Sequence, residues 1–211
     1  MFHGDADTPR LSHYFLPRLL LEGKQVLMLD GANAADPRLL ERLARERGVP
    51  FAEFSQRIEI ARAFTCFQLT ELIARVPRML AEFPAQVLIV TAFPDLYFDE
   101  DVRDWNAHVA FQQALENLRR RAGAVAPVSS AATNTTAARG ILPLSIALFS
   151  SAATFIPSPA RRRFFEQTCA AAKEVWKFSL GEDNRLALLN ERRGVSKAAT
   201  SEHSLSAVRH R

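Results

Sequence analysis

Two groups of side chains in this 211-residue chain have the chemistry that phosphoryl transfer needs, which is positive charge for phosphates and a carboxylate for magnesium. Arg10 or Arg18 could contact phosphate, and Asp95 or Asp99 could bind the metal. The usual phosphate-binding pattern, G-x-x-x-x-G-K-[ST], does not occur in the sequence. Its lysine has no counterpart, because Lys24 lies directly before a predicted strand instead of opening a helix. We therefore expect Lys24 to be a solvated surface residue.

Other reactive side chains are spaced in ways that predict no further chemistry. Cys66 and Cys169 are too far apart in the chain for a zinc pattern, and two cysteines make no disulfide framework. Cys66 stands at a helix start, where a thiolate is favoured, yet we expect an inert, buried thiol. The five histidines show no ligand spacing, and His108 is expected at the surface. The acidic cluster Asp99-Glu-Asp101 precedes a long predicted helix, which favours capping of that helix over metal binding.

Positive charge is concentrated in the last third of the chain. Residues 1–150 contain 16 basic and 17 acidic residues, whereas residues 151–211 contain 11 basic and 6 acidic residues, which accounts for the net charge of +4. Contacts with DNA are therefore predicted in the C-terminal third, weak and sensitive to salt. The alternative is a tail that only keeps the protein in solution. The candidate phosphate contacts are Arg161, Arg162, Arg163, Arg192, Arg193 and Lys197.

Hydrophobic patterns place these residues on alternating strands and helices. Short apolar or alternating runs at 25–30, 57–61 and 87–90 indicate strands, and longer periodic stretches separate and follow them. Parallel strands need such helical crossovers. Residues 1–190 are therefore predicted to form one α/β domain of three layers, with a mostly parallel sheet flanked by helices. Residues 191–211 are predicted to be a basic, disordered tail.

Two helices give specific expectations about which side chains face the core. Asp36-Pro37 opens a helix that is predicted to end at Gly48, because these residue types start and stop helices. A longer helix is predicted from 101 to 121. Its inner face is expected to carry Trp105, Val109, Leu115 and Leu118.

The second half of the chain is less regular. The uncharged segment 140–160 is long enough to span a bilayer, but its prolines and its many serines and threonines favour a buried strand or helix with a loop. Residues 124–130 could form another inner strand. Residues 175–180 and 186–189, joined by a polar turn, predict a C-terminal hairpin. No charged and apolar leader opens the chain, which favours a cytoplasmic location without membrane contact.

Three segments between Val26 and about Arg121 occur in the order and spacing of a known family. They are Leu29-Asp30-Gly31 with a helix opened by Pro37, Ile60-Ala-Arg-Ala-Phe-Thr65 followed by Gln68 and Leu72, and Val87-Leu-Ile-Val90 followed by Leu96-Tyr97. In this order the chain resembles the core ATPase domain of the RecA-like recombinases, over rather less than half of its length. The resemblance implies a RecA-like P-loop NTPase core, in which the third segment is the Walker B strand.

The residues that serve ATP in this family are replaced here. The loop from His3 to Thr8 stands where a P-loop is expected, and Asp5 and Asp7 would repel a triphosphate. No strand pattern precedes that loop, so the first core strand of the family is expected to be missing or displaced. The catalytic glutamate of the family falls near Ala32, and its Walker B acid falls at Thr91. Asn33 could hold a water molecule but is a poor base.

The resemblance, together with the replacement of the residues that serve ATP, predicts a non-catalytic protein without a cofactor. Its expected role is that of an accessory or regulatory factor in DNA repair or recombination, acting by binding DNA or another repair protein such as a RecA-like one. One alternative is a divergent ATPase with a rebuilt P-loop, which would use ATP and magnesium. Another is a scaffold that pairs with an intact ATPase.

Overall fold

The fold is seen in a computed structural model that describes residues 1–122, 125–126, 142–151, 158–180, 186–192 and 195–198. Seven α-helices occur in these residues: α1 Thr8–Leu11, α2 Leu16–Leu21, α3 Pro37–Glu46, α4 Phe51–Ser55, α5 Cys66–Glu82, α6 Asp104–Arg121 and α7 Arg162–Ala171. The strands described are β1 Phe2–His3, β2 Val26–Asp30, β3 Ile58–Arg62, β4 Val87–Thr91, β5 Val125–Ala126, β6 Leu142–Pro143, β7 Ser145–Ser150, β8 Trp176–Leu180, β9 Leu186–Asn190 and β10 Val195–Ala198. Ser12–Phe15 and Asp95–Phe98 form short 3-10 helices.

The main sheet has the strand order β10-β9-β8-β1-β7-β4-β2-β3 among the described residues. Every neighbouring pair from β8 to β3 is parallel, whereas β8, β9 and β10 pair antiparallel. The predicted α/β class and the parallel pairing of the strands at 25–30, 57–61 and 87–90 are therefore confirmed. The predicted hairpin is also confirmed, since β8 and β9 are antiparallel neighbours. β5 and β6 form a separate two-stranded sheet.

Helices cover the sheet on both faces because the central strands are apolar on both sides. On β2, Leu27 and Leu29 pack with the buried faces of α5, α6 and α7. Val26 and Met28 of the same strand face the other side, where they pack with α2, α3 and α4. Burial on both faces explains why this strand is a continuous apolar run in the sequence.

The first strand corrects the expectation that none precedes the loop at 3–8. β1 lies inside the sheet between β7 and β8, although it has only two residues. Phe2 holds it there by stacking on Phe149, with ring centroids 4.9 Å apart. The backbone amide of Trp176 also donates to the carbonyl of Met1 at 2.8 Å. A strand of this length leaves no hydrophobic pattern to detect.

The uncharged stretch at 140–160 matches the predicted alternative of a buried strand, whereas part of the predicted tail differs from its prediction. Within the uncharged stretch at 140–160, residues 145–150 form the central strand β7, and none of the described helices is both long and apolar enough to cross a membrane. Part of the predicted tail, Val195–Ala198, is strand β10. Residues 199–211 lie outside the described residues, as does most of the strand predicted at 124–130.

The inner face of α6 was predicted only in part. Leu115 and Leu118 are buried as expected, but the Trp105 residue is 74% exposed and Val109 is also exposed. Alanines occupy the buried positions in the first half of this helix, at Ala107 and Ala110. Small side chains let α6 approach α5 closely, and the larger residues are left on the outside.

Candidate functional site

A cavity of about 770 Å³ lies at the carboxyl ends of the central parallel strands. In open α/β sheets, ligands bind outside this edge. One wall comes from the start of α1 and the other from the loop between β2 and α3, while the segment after β4 closes the inner side. The polar side chains that line it belong to Asp7, Arg10, Asn33, Asp36, Asp95, Asp99 and Ser151.

Asp30 and Thr91 brace the inner end of this cavity. Asp30 is fully buried, and its carboxylate accepts the Thr91 hydroxyl at 2.9 Å. It also accepts the backbone amides of Ala34 and Ala35 at 3.0 and 2.8 Å. Thr91 in turn accepts the amide of Ala32 at 3.2 Å. The residue at the expected Walker B position therefore holds the neighbouring loop in place.

Asp95 is committed to holding the end of strand β7. Its carboxylate accepts the hydroxyl of Ser150 at one oxygen, and the hydroxyl and amide of Ser151 at the other, at 2.8 and 2.7 Å. Burial raises the pKa of Asp95, and these hydrogen bonds oppose that rise. A magnesium ion would have to displace the serine donors, so Asp95 is a poor candidate metal ligand.

The outer walls are joined by an ion pair. Asp36 caps α3 by accepting the amide of Arg38 at 2.9 Å, which confirms the predicted helix start. It also accepts the guanidinium of Arg10 at 3.0 Å. The cap, chiefly through the amide of Leu39, and the pairing with Arg10 lower the pKa of Asp36. Arg10 therefore faces a carboxylate, and Arg18 pairs with Glu22 outside the cavity.

The loop that connects β1 to α1 is closed by its own contacts. The amide of Asp7 donates to the Asp5 carboxylate at 3.2 Å, and the amide of Thr8 donates to the Asp5 carbonyl at 3.1 Å. A Cβ atom on Gly4 would lie 2.7 Å from the Thr8 hydroxyl and 2.8 Å from the Phe178 carbonyl. The loop packs tightly on the sheet, and amides that a P-loop would offer to phosphate are used inside it.

Asn33 and Asp99 also line the cavity, and each has a different role there. Asn33 lies on the rim in a left-handed conformation, with φ of 50°, which asparagine tolerates better than most residues. Asp99 lines the cavity and accepts the amide of Asp101 at 3.0 Å. The prediction that this acidic cluster caps the long helix is wrong, because α6 has Arg103 at its N-cap and Asp104 in its first turn. The cluster closes the preceding turn instead.

The predicted phosphate contacts do not share one environment. Arg161 is only 4% exposed, and its guanidinium donates to the Asp104 carboxylate at 2.6 Å and to three backbone carbonyls. Arg162 and Arg163 are exposed at the start of α7. Arg192 is exposed and donates to the carbonyls of Cys169 and Ala170 in the last turn of that helix, and to that of Lys173 after it. Arg193 and the side chain of Lys197 lie outside the described residues. The backbone of Lys197 is part of β10.

An aromatic surface that was not predicted from the sequence lies beside these arginines. Trp105 is exposed, and its ring stacks against that of His108 at 6.5 Å between centroids. His108 lies 5.9 Å from the ring of Phe164, which is buried on α7. The ion pair between Asp104 and Arg161 holds the starts of α6 and α7 together here. The available signal was the alanine spacing of α6, which turns Trp105 outward.

The remaining candidates have structural roles. Lys24 is half-buried at the surface and pairs with Glu22 at 2.8 Å, as expected of a solvated residue. Cys66 is buried, and burial raises the pKa of its thiol, which fits the predicted inert role. Burial also raises the pKa of Cys169 to about 11. Within the part of the chain that is described, no three His, Cys, Asp or Glu residues are grouped as metal ligands would be.

Comparison of the sequence with known family models and with curated proteins finds no match.

Proposed function

We propose that this protein is a RecA-like fold that has lost nucleotide chemistry and acts by binding, as an accessory or regulatory factor in DNA repair or recombination. Its strand–loop–helix unit at β1 and α1 has the arrangement from which a P-loop is built. The three family-like segments supply β2, β3 and β4, which are adjacent parallel strands. The residues that resemble the family thus lie together in space.

The charge of the cavity is the observation that carries the proposal. A volume of about 770 Å³ would admit a nucleotide, so size is not the obstacle. Asp7, Asp36, Asp95 and Asp99 line it, against Arg10 as the one cation among the described lining residues. Arg10 is already paired with Asp36. A triphosphate would therefore meet net negative charge where an ATPase supplies lysine and magnesium.

Calorimetry with MgATP and the purified full chain tests the loss of nucleotide chemistry. We expect no affinity tighter than about millimolar, because the positive charge and magnesium ligands that hold phosphate are missing. Asp7→Lys should raise the affinity, with Glu53→Lys on the exposed side of α4 as a control for net charge. Micromolar binding by the unaltered protein would favour the rebuilt ATPase, in which Arg10 and Asp99 would be the first residues to replace.

DNA binding is the more specific part of the proposal, and the surface at Trp105 favours it. Exposed aromatic rings stack on unpaired bases, and arginines contact the phosphates between them. Trp105, Arg162 and Arg163 are exposed near the ion pair that joins α6 to α7. We therefore expect weak binding that prefers single-stranded DNA and is strongly reduced by salt.

Fluorescence anisotropy with single- and double-stranded oligonucleotides, at about 50 and 150 mM salt, measures this preference. Trp105→Ala and the double change of Arg162 and Arg163 to Ala should each weaken binding several-fold. Arg75→Ala, on the exposed face of α5, is the matched control. A truncation after residue 198, which leaves β10 in place, separates the tail from this surface. Binding that ignores salt or survives both variants would contradict the assignment.

The scaffold hypothesis predicts a different effect on the ATPase rate of a partner. A scaffold for an intact ATPase would change the ATPase rate of a RecA-like partner in a mixture without DNA. An accessory factor that acts through DNA would change that rate only when DNA is present. Measuring hydrolysis by such a partner, with and without single-stranded DNA, distinguishes the two roles.

A further inference from the structure

His13 links the two walls of the cavity through both nitrogens of its ring. It lies fully buried in the 3-10 helix Ser12–Phe15 that follows α1. Its Nδ1 atom is 3.0 Å from the carbonyl oxygen of Arg10, and its Nε2 atom is 3.3 Å from the backbone amide of Asp36. A carbonyl can only accept and an amide can only donate a hydrogen bond. The ring is therefore neutral, with its proton on Nδ1 and a lone pair on Nε2.

The two partners of His13 belong to opposite sides of the cavity. Arg10 is part of the wall formed by α1, and Asp36 is part of the wall formed by the loop that precedes α3. The ion pair between their side chains spans the same gap at 3.0 Å. That pair is largely exposed, and exposed pairs contribute little. The buried imidazole is a second connection across the gap, and it is shielded from solvent.

Protonation removes the connection to Asp36, because an imidazolium has no lone pair and would turn an N–H group toward another N–H group. Burial disfavours the charged ring and lowers the pKa of His13; the hydrogen bond to the Arg10 carbonyl opposes this effect, and the guanidinium charge of Arg10 adds to it. Asp30 and Asp36 oppose this effect with their negative charges. Arg18 of α2 and the side chains of Arg38 and Glu41 at the start of α3 are exposed to solvent.

We propose that His13 is a pH-dependent clasp, which joins α1 to the start of α3 when neutral and releases the two walls of the cavity when protonated. The clasp acts on the cavity itself and does not depend on which ligand occupies it. Acidification should therefore widen the entrance between α1 and the loop that precedes α3.

Nitrogen NMR of the unaltered protein tests the clasp directly. At neutral pH the His13 ring should show the tautomer with its proton on Nδ1. On acidification, the ring should titrate below the ordinary value of 6.5, and the amide signal of Asp36 should shift with the same midpoint. A ring protonated on Nε2 at neutral pH would overturn the proposal. So would an Asp36 amide that does not respond to titration of the ring.

Opening of the cavity is measured with spin labels at Ala6 and Arg38, two exposed positions on opposite walls. With Cys169 replaced by alanine, the distance distribution should move to longer values as the pH falls below 6.5, with the same midpoint that NMR gives for the His13 ring. His13→Gln should make the distance independent of pH, whereas His108→Gln, which changes an exposed histidine, should keep the response. An unchanged distance in the parent protein, or an unaltered response in His13→Gln, would show that His13 does not control the opening.

Discussion

Replacement of Arg161 by methionine should destabilise the fold strongly, although a basic run at a helix start resembles a surface feature. The guanidinium is buried and donates to the Asp104 carboxylate and to the carbonyls of Tyr97, Asp99 and Val102. Methionine preserves much of the aliphatic volume but none of the donors. Three carbonyls before α6 would then lose this donor, although that of Asp99 keeps the backbone amide of Val102.

The size of the effect follows from these contacts. Hydrogen bonds to a charged group contribute about 1.5–3 kcal/mol each, and removal of one partner of a buried ion pair costs about 3–5 kcal/mol. The Asp104 side chain is 56% exposed and can be hydrated once its partner is gone, so its share is small. We therefore expect a loss of about 3 kcal/mol, which lowers Tm by roughly 6–12 °C in a chain of this size.

Urea unfolding of Arg161→Met and of the neighbouring Arg162→Met provides the comparison. Arg162 is exposed, so its replacement should change the free energy of unfolding by less than about 0.5 kcal/mol. Asp104→Asn should cost more than Arg162→Met but less than Arg161→Met, because the amide oxygen still accepts a hydrogen bond while the buried guanidinium loses its counter-charge. Equal stability of the two methionine variants would refute the assignment of Arg161 as a buried structural residue.

Three further predictions concern other buried polar groups. Folding lowers the pKa of His13, so the unfolded chain binds more protons than the folded one once the pH falls below the ordinary value of 6.5. The free energy of unfolding should therefore fall as the pH decreases through that value, and it should fall less in His13→Gln. Tyr97→Phe removes a buried hydrogen bond of 2.9 Å to Thr70, and urea unfolding should show a loss of about 1 kcal/mol. Thr91→Val keeps the shape of the side chain but removes the donor to the buried Asp30 carboxylate. Urea unfolding should show that the free energy of unfolding falls by about 1.5–3 kcal/mol. An unchanged value would mean that this hydrogen bond does not stabilise the fold.

Much of the parallel sheet could be predicted because its strands leave strong patterns. β2 and β4 are buried on both faces and are therefore nearly uninterrupted apolar runs. α3 has an aspartate and a proline at its start and Gly48, with φ of 65°, just after its end. β1 escaped prediction because two residues are held in place by long-range packing alone. β7 was predicted only as an alternative to a helix, because its short apolar run is bounded by serines and lies within a long uncharged segment.

The candidate site could be predicted less well, because its character depends on pairings between distant residues. The carboxylates of Asp30 and Asp95 are visible in the sequence, but their use as acceptors within the protein is not. The donors to Asp95 come from Ser150 and Ser151, more than fifty residues further along the chain. Likewise, nothing local distinguishes the buried Arg161 from its exposed neighbour Arg162. Composition alone therefore assigned both to a nucleic-acid surface.

On the proposed RecA-like interpretation, the lost catalytic positions have become parts of a hydrogen-bonded structure. Thr91 stands where the metal-binding acid is expected, and it donates to Asp30 at 2.9 Å. A carboxylate restored at 91 would lie beside the fully buried carboxylate of Asp30, and because two like charges at that distance cannot both ionise, one of the two would have to stay protonated. Asp7 presents the same difficulty at the phosphate loop, where lysine is needed. A return to catalysis would therefore need several simultaneous changes, whereas binding at the outer surface of α6 and α7 needs none.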